Sequence, residues 1–137
     1  TVDITAPLYW WKEYDTYKVG TVANSTSTMH KIHSKPFEMS DFSTDHMNQE
    51  TIEFMEKNIE FLENLRVKYN DTKDKTLWYS IIQLLPESYN QMRTCTFSYE
   101  NAVAMYYSRK NHKLDEWHTF CDWVTELPYF KELFIQE

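Results

Sequence analysis

The clearest regularity along the chain is a helical stripe. From Asp45 or Asn48 to Tyr69, apolar residues recur at Ile52, Met55, Ile59, Leu62, Leu65 and Tyr69 while Glu, Lys and Asn fill the opposite face. That pattern predicts a long amphipathic helix, broken at Asn70-Asp71-Thr72. A second helix is predicted over Lys73–Leu85, with Leu77, Trp78, Ile81, Ile82 and Leu85 apolar, and Pro86 stops it. Ser98 is placed to cap a third, carrying Ala102, Val103 and Tyr106 and ending at Arg109-Lys110. A further helix presents Leu114, Trp117, Phe120, Cys121, Val124 and Leu127 and ends at Pro128. Near the start, Thr5 reads as the cap of an aromatic helix with Pro7 in its first turn and Leu8, Trp11, Tyr14 and Lys18 at helical spacing.

Strand character is scarcer. Thr1-Val2-Asp3-Ile4-Thr5 alternates, and Gln91–Phe97 mixes β-branched and aromatic residues. The Ser/Thr-rich stretch Val19–His30 around Gly20 reads as a structured loop, and Lys35–Ser43 as turn and connection. The expected architecture is α+β: a mainly helical single domain over residues 1–137, with four to five helices and a small antiparallel sheet of at most two strands. With no initiator methionine before Thr1, the sequence is expected to lack an amino-terminal portion of that domain.

Composition narrows the chemistry. A single glycine in 137 residues excludes both the G-x-G-x-x-G dinucleotide turn and the glycine-rich phosphate loop. A nucleotide would have to be held by side chains and helix ends. Fourteen Lys+Arg against twenty-one Asp+Glu, net −7, disfavours binding to duplex nucleic acid. Cys95 and Cys121 are too few for a disulfide framework or a four-thiolate zinc site, and both read as buried thiols in a reducing compartment. No apolar run is long enough to span a bilayer, so the expectation is a soluble, cytoplasmic protein without membrane partners. Two segments, Asn24-Ser25-Thr26 and Asn70-Asp71-Thr72, fit the glycosylation pattern but follow no secretory leader.

Among the five histidines, His30-x-x-His33 sits at one-turn spacing, and His112, Asp115, Glu116 and His118 lie close in sequence. No ligand motif fixes a geometry, so scattered histidines and no metal are expected. The aromatic run Tyr9, Trp10, Trp11, Tyr14, Tyr17 suits a core or subunit interface, and also suits stacking on a flat ring system. Tyr99, Asn101, Ser108, Arg109, Lys110, Asn111 and His112 form a polar and cationic cluster about one helix end. Arg109 and Lys110 there are the chemistry a phosphate needs, or a complement to the helix dipole.

The order of these segments resembles the flavin-dependent (alternative) thymidylate synthases. Thr5-Ala6-Pro7-Leu8-Tyr9 stands at that family's strand-to-helix entry. Thr16-Tyr17-Lys18-Val19-Gly20-Thr21 stands where its R-H-R-x-x-S would be, and Ser25–Met29 covers the rest of the signature. Leu84-Leu85-Pro86 matches the Leu-Pro turn, Ser108-Arg109-Lys110 the R-L-R position, and Asp115-Glu116-Trp117 the A-Q-W position. Only Lys18 keeps a signature charge, while Thr21, Thr28 and Met29 replace the serine, arginine and tyrosine.

The resemblance implies a thymidylate-synthase-complementing-like fold, assembled as a homotetramer with sites shared between subunits. It also implies a pyrimidine nucleotide lined by Lys18, Thr21, Ser25, Ser27, Arg109 and Lys110, and FAD as a candidate cofactor near Trp11, Tyr17 and Asn101. In the family, flavin takes hydride from NADPH and a one-carbon unit passes from methylenetetrahydrofolate to dUMP. With its signature replaced, this chain reads as a divergent relative of the kind found in phage or prophage, and no catalytic residue is assigned. The alternative expectation is a non-catalytic nucleotide-binding or protein-interaction module on the same fold.

Overall fold

In the computed structural model the structure describes residues 1–17, 21–25 and 31–135, with only the backbone of 21–25. The described elements are β1 (Val2–Pro7), α1 (Leu8–Tyr14), β2 (Thr21–Ser25), a 3-10 turn (Met39–Asp41), α2 (Gln49–Thr72), α3 (Lys75–Leu84), β3 (Asn90–Phe97), α4 (Tyr99–Arg109), α5 (Asp115–Thr125) and α6 (Phe130–Phe134). The fold is α+β and mainly helical. The three described strands lie in the order β1-β3-β2. The Thr1 and Thr96 hydroxyls pair at 3.1 Å, and Thr94 donates to Asp3 at 2.6 Å. Partner numbers that rise on one strand as they fall on the other make β1 and β3 antiparallel.

Four expectations are corrected. Thr5 caps nothing: β1 runs through it to Pro7. The first N–H groups of α1 are instead taken by backbone carbonyls, Leu8 N–H by Tyr89 (3.0 Å) and Tyr9 N–H by Glu87 (3.3 Å), so no side-chain cap is needed. Within the stretch expected to be a loop, Thr21–Ser25 is a third strand, where at most two were foreseen. Asn70-Asp71-Thr72 does not break α2, which reaches Thr72. Asn70 donates to the His33 carbonyl (3.2 Å) and Thr72 to the Lys68 carbonyl (2.8 Å), so both polar side chains find partners without leaving the helix. The helix stops one residue later, where Lys73 turns left-handed at φ 58°. Six α-helices are described rather than four to five, because α6 follows Pro128.

The caps follow sequence chemistry. Asn48 accepts from Thr51 N–H (2.9 Å), Asp74 from Thr76 N–H (3.0 Å) and Ser98 from Asn101 N–H (3.2 Å).

The chain divides into two compact units. One holds Thr1–Ile4, Trp10–Asn24 and Arg93–Glu137; the other holds Thr5–Tyr9 and Ser25–Met92. In the second unit α2 and α3 bury Met55, Ile59, Leu62, Leu65 and Ile81 with Ile32, Phe37 and Phe42. Arg66 secures its rim, donating from Nε to both Glu63 oxygens (3.0 and 2.9 Å), while Glu63 also accepts from Phe37 N–H (2.9 Å). In the first unit the core is aromatic: Trp10, Trp11, Tyr14, Trp117 and Phe130 are 0–2% exposed. Trp10 lies 4.6 Å from Trp117 and 5.4 Å from Tyr14 between ring centres. The short α6 is pinned to this unit by Tyr99, donating to the Pro128 carbonyl (2.9 Å), and by Tyr107, donating to that of Phe134 (2.8 Å).

Candidate functional site

In the first unit, polar groups converge where α1 and α4 end and α5 begins. Glu13 on α1 accepts from the Trp117 indole N–H at 2.7 Å and from His112 Nε2 at 3.1 Å, and lies 3.8 Å from Arg109 Nη1. The His112 tautomer follows from its other nitrogen. Nδ1 accepts from Leu114 N–H at 3.1 Å, so the proton sits on Nε2 and is donated to Glu13. Arg109, the last residue of α4, donates from Nε to the Tyr17 hydroxyl at 2.9 Å. Its guanidinium carbon stands 5.0 Å from the Trp117 ring centre and 5.4 Å from that of Tyr17, a placement that favours the cation through the ring quadrupoles.

These contacts fix the guanidinium without using all its donors. Nε is spent on Tyr17 and Nη1 faces Glu13 at a long distance, while Nη2 has no partner among the described residues. The side chain is 18% exposed, so that edge is partly desolvated, and a partly desolvated guanidinium edge is suited to an oxyanion.

The residues proposed from sequence fall as follows. Tyr17 and Arg109 are brought together by a direct hydrogen bond. Lys110 follows Arg109 as the C-cap of α4, its ammonium 5.0 Å from the Tyr107 ring centre. Thr21 and Ser25 are the end residues of β2, and Lys18 and Ser27 lie outside the described residues. Trp11 is 1% exposed and stacks beneath Arg93 at 4.5 Å, with Arg93 paired to Asp15 at 2.8 Å. Asn101 sits in the first turn of α4, where its Oδ1 accepts from Ser98 N–H (3.2 Å) and Oγ (2.8 Å). Eight residues at 1.5 Å each put it about 12 Å along the helix from Arg109. The sequence cluster that grouped them therefore spans two ends of one helix.

Glu13 was missed, although its four-residue spacing to Tyr17 and its place among tryptophans mark a carboxylate that must find donors. Both cysteines are buried free thiols. Burial pushes Cys121 up to about 11 and raises Cys95, so each is protonated at neutral pH. Among the described residues no group of three His, Cys, Asp or Glu is placed to hold a metal, and no helix is long and apolar enough to cross a membrane.

The second unit holds a cleft of about 420 Å3 lined by the turn Lys31–Lys35, the 3-10 turn and the start of β3. Lys31, Lys35, Ser40, Asp41, Tyr89 and Asn90 supply its polar lining, and Ile32 and Met92 its apolar part. In the sequence this lining shows only as Lys31-x-x-x-Lys35 around His33, a spacing that matches no ligand motif.

The fold is similar to that of the flavin-dependent thymidylate synthase ThyX from Helicobacter pylori, a crystal structure complexed with FAD and dUMP. The TM-score is 0.62 at 17% identity, over 96% of this chain and 69% of that one. No family model matches the sequence. No curated protein matches it either.

Proposed function

We propose that this chain is a divergent relative of the flavin-dependent thymidylate synthases that binds a pyrimidine nucleotide by its phosphate. Arg109 and Lys110 supply the charge, and Lys18, Thr21, Ser25 and Ser27 complete the lining. The observation that carries the reading is Arg109: Tyr17 and the Trp117 ring hold its guanidinium while the Nη2 edge has no partner among the described residues. The fold similarity over most of the chain supports the same ligand class, since the similar structure is a complex with dUMP. Sites shared between copies in a homotetramer are part of the proposal, as is a cytoplasmic, phage or prophage setting.

FAD belongs to the proposal through the fold, with Trp11, Tyr17 and Asn101 as its candidate residues. Of these, Tyr17 stands beside Arg109, while Trp11 is buried under Arg93 and Asn101 is engaged in a capping box. No methyl-transfer step is assigned to these side chains. That same observation favours a second reading, a non-catalytic nucleotide-binding or protein-interaction module.

The deciding experiment is calorimetric titration of the full chain with dUMP and with deoxyuridine. Binding of dUMP alone, weakened about tenfold or more by Arg109→Ala, is expected from loss of a charge-assisted contact. Equal binding of both ligands, or none, overturns the phosphate reading. The absorbance spectrum of the purified protein and tritium release from labelled dUMP then separate the two readings: flavin absorbance and turnover favour the enzyme, and their absence with retained dUMP binding favours the module.

A further inference from the structure

The cleft of the second unit shares no residue with the site proposed above, and its lining has a polarity of its own. Lys31 and Lys35 are exposed, and neither ammonium has an ion-pair partner among the described residues. Beside them Asn90 is oriented by Ser43, whose hydroxyl donates to Asn90 Oδ1 at 2.9 Å, leaving the Nδ2 hydrogens as donors. Burial and the Asp41 carboxylate raise Tyr89 above its ordinary 10.0, so its phenol is a neutral donor.

Asp41 itself is fixed at the other side of this chemistry. Its Oδ2 accepts from Glu38 N–H at 2.9 Å, which closes the 3-10 turn and leaves Oδ1 as an acceptor. A volume of about 420 Å3 falls in the range of small-molecule sites. A bare anion satisfies the lysines and repels Asp41. A ligand with an anionic end and hydroxyl groups satisfies both.

We propose that this cleft binds a small phosphate monoester that also carries hydroxyl groups, the phosphoryl group at Lys31 and Lys35 and a hydroxyl donating to Asp41. The test is amide NMR titration of the full chain with glycerol 3-phosphate, with inorganic phosphate and glycerol as comparison probes. Glycerol 3-phosphate is expected to shift the amides of Lys31, Lys35 and Asn90 saturably and to bind more tightly than inorganic phosphate, with glycerol inert. The double variant K31Q/K35Q, altering two exposed side chains, should keep its circular dichroism spectrum and bind about tenfold or more weakly.

Arg109→Ala should leave these shifts unchanged, so loss of the nucleotide reading and loss of this one are read separately. Absence of saturable shifts, unchanged affinity in K31Q/K35Q, or inorganic phosphate binding as tightly as the ester each overturns the proposal.

Discussion

The two compact units bury their apolar surface by different means. In the second, α2 and α3 close over aliphatic side chains such as Leu62 and Ile81, both 0% exposed, with Glu63 and Arg66 paired at the rim. In the first, tryptophans and tyrosines fill the interior and bring their own polar atoms with them. A buried donor left unpaired costs about 1–3 kcal/mol, a cost that the Trp10 indole N–H, with no hydrogen-bond partner among the described residues, does carry. Glu13 answers the Trp117 indole. Carboxylate, indole, imidazole and guanidinium are drawn together by that requirement, so the polar site of the aromatic unit grows out of its packing, whereas the cleft of the second unit is lined by exposed lysines. Aliphatic packing creates no such demand.

Substitutions can break this contrast, the largest first. Trp117→Ala removes the ring that touches Trp10 and Phe120 and the donor to Glu13, and should cost about 3–5 kcal/mol in urea unfolding. Leu62→Ala leaves an aliphatic cavity and should cost about 2–5 kcal/mol, with the near-ultraviolet dichroism retained apart from the contribution of Trp78, which packs against this cluster. If Leu62→Ala disturbs that signal as much as Trp117→Ala does, the distinction between the two cores fails.

A smaller effect sharpens the rim. The Arg66 hydrogen bonds, aided by Phe37 N–H, hold Glu63 below its ordinary 4.5 against the opposing effect of burial. A carboxylate lowered in the folded state stabilises fully above its unfolded value and loses that contribution as pH falls through the folded one. Melting temperatures of the wild type and Glu63→Gln should therefore differ at neutral pH by the equivalent of about 1–3 kcal/mol and converge well below pH 4.5. A gap that persists in acid contradicts the assignment. Smallest of all, Phe54→Ala, at a side chain 69% exposed on α2, should stay within about 0.5 kcal/mol of wild type by the same unfolding measurement.

Legibility in the sequence follows the same division. The stripe Met55, Ile59, Leu62, Leu65 is local, repeats with the helix period and needs no knowledge of distant residues. Ser98, Asp74 and Pro86 punctuate it and its neighbours by short-range chemistry. Thr5 failed because the groups that satisfy α1's first N–H donors come from Glu87 and Tyr89, far along the chain. Tyr17 and Arg109 were recognisable as residue types, yet their bond joins positions 92 apart. Glu13 and Trp117 are 104 apart, beyond any periodicity. Trp11 and Asn101 show what residue type alone does not reveal: burial holds the one and helix capping engages the other.

The division of the chain into discontinuous pieces also bears on its synthesis. Trp10, Trp11 and Tyr14 are synthesised before much of what covers them, Arg93–Glu137. The α2–α3 hairpin is contiguous and can close as soon as it is translated. Until Arg93–Glu137 is made, a nascent chain therefore displays bare indole rings, the kind of surface that chaperones engage and that drives aggregation when release is premature. Ribosome-bound chains stalled before Trp117 should be caught there.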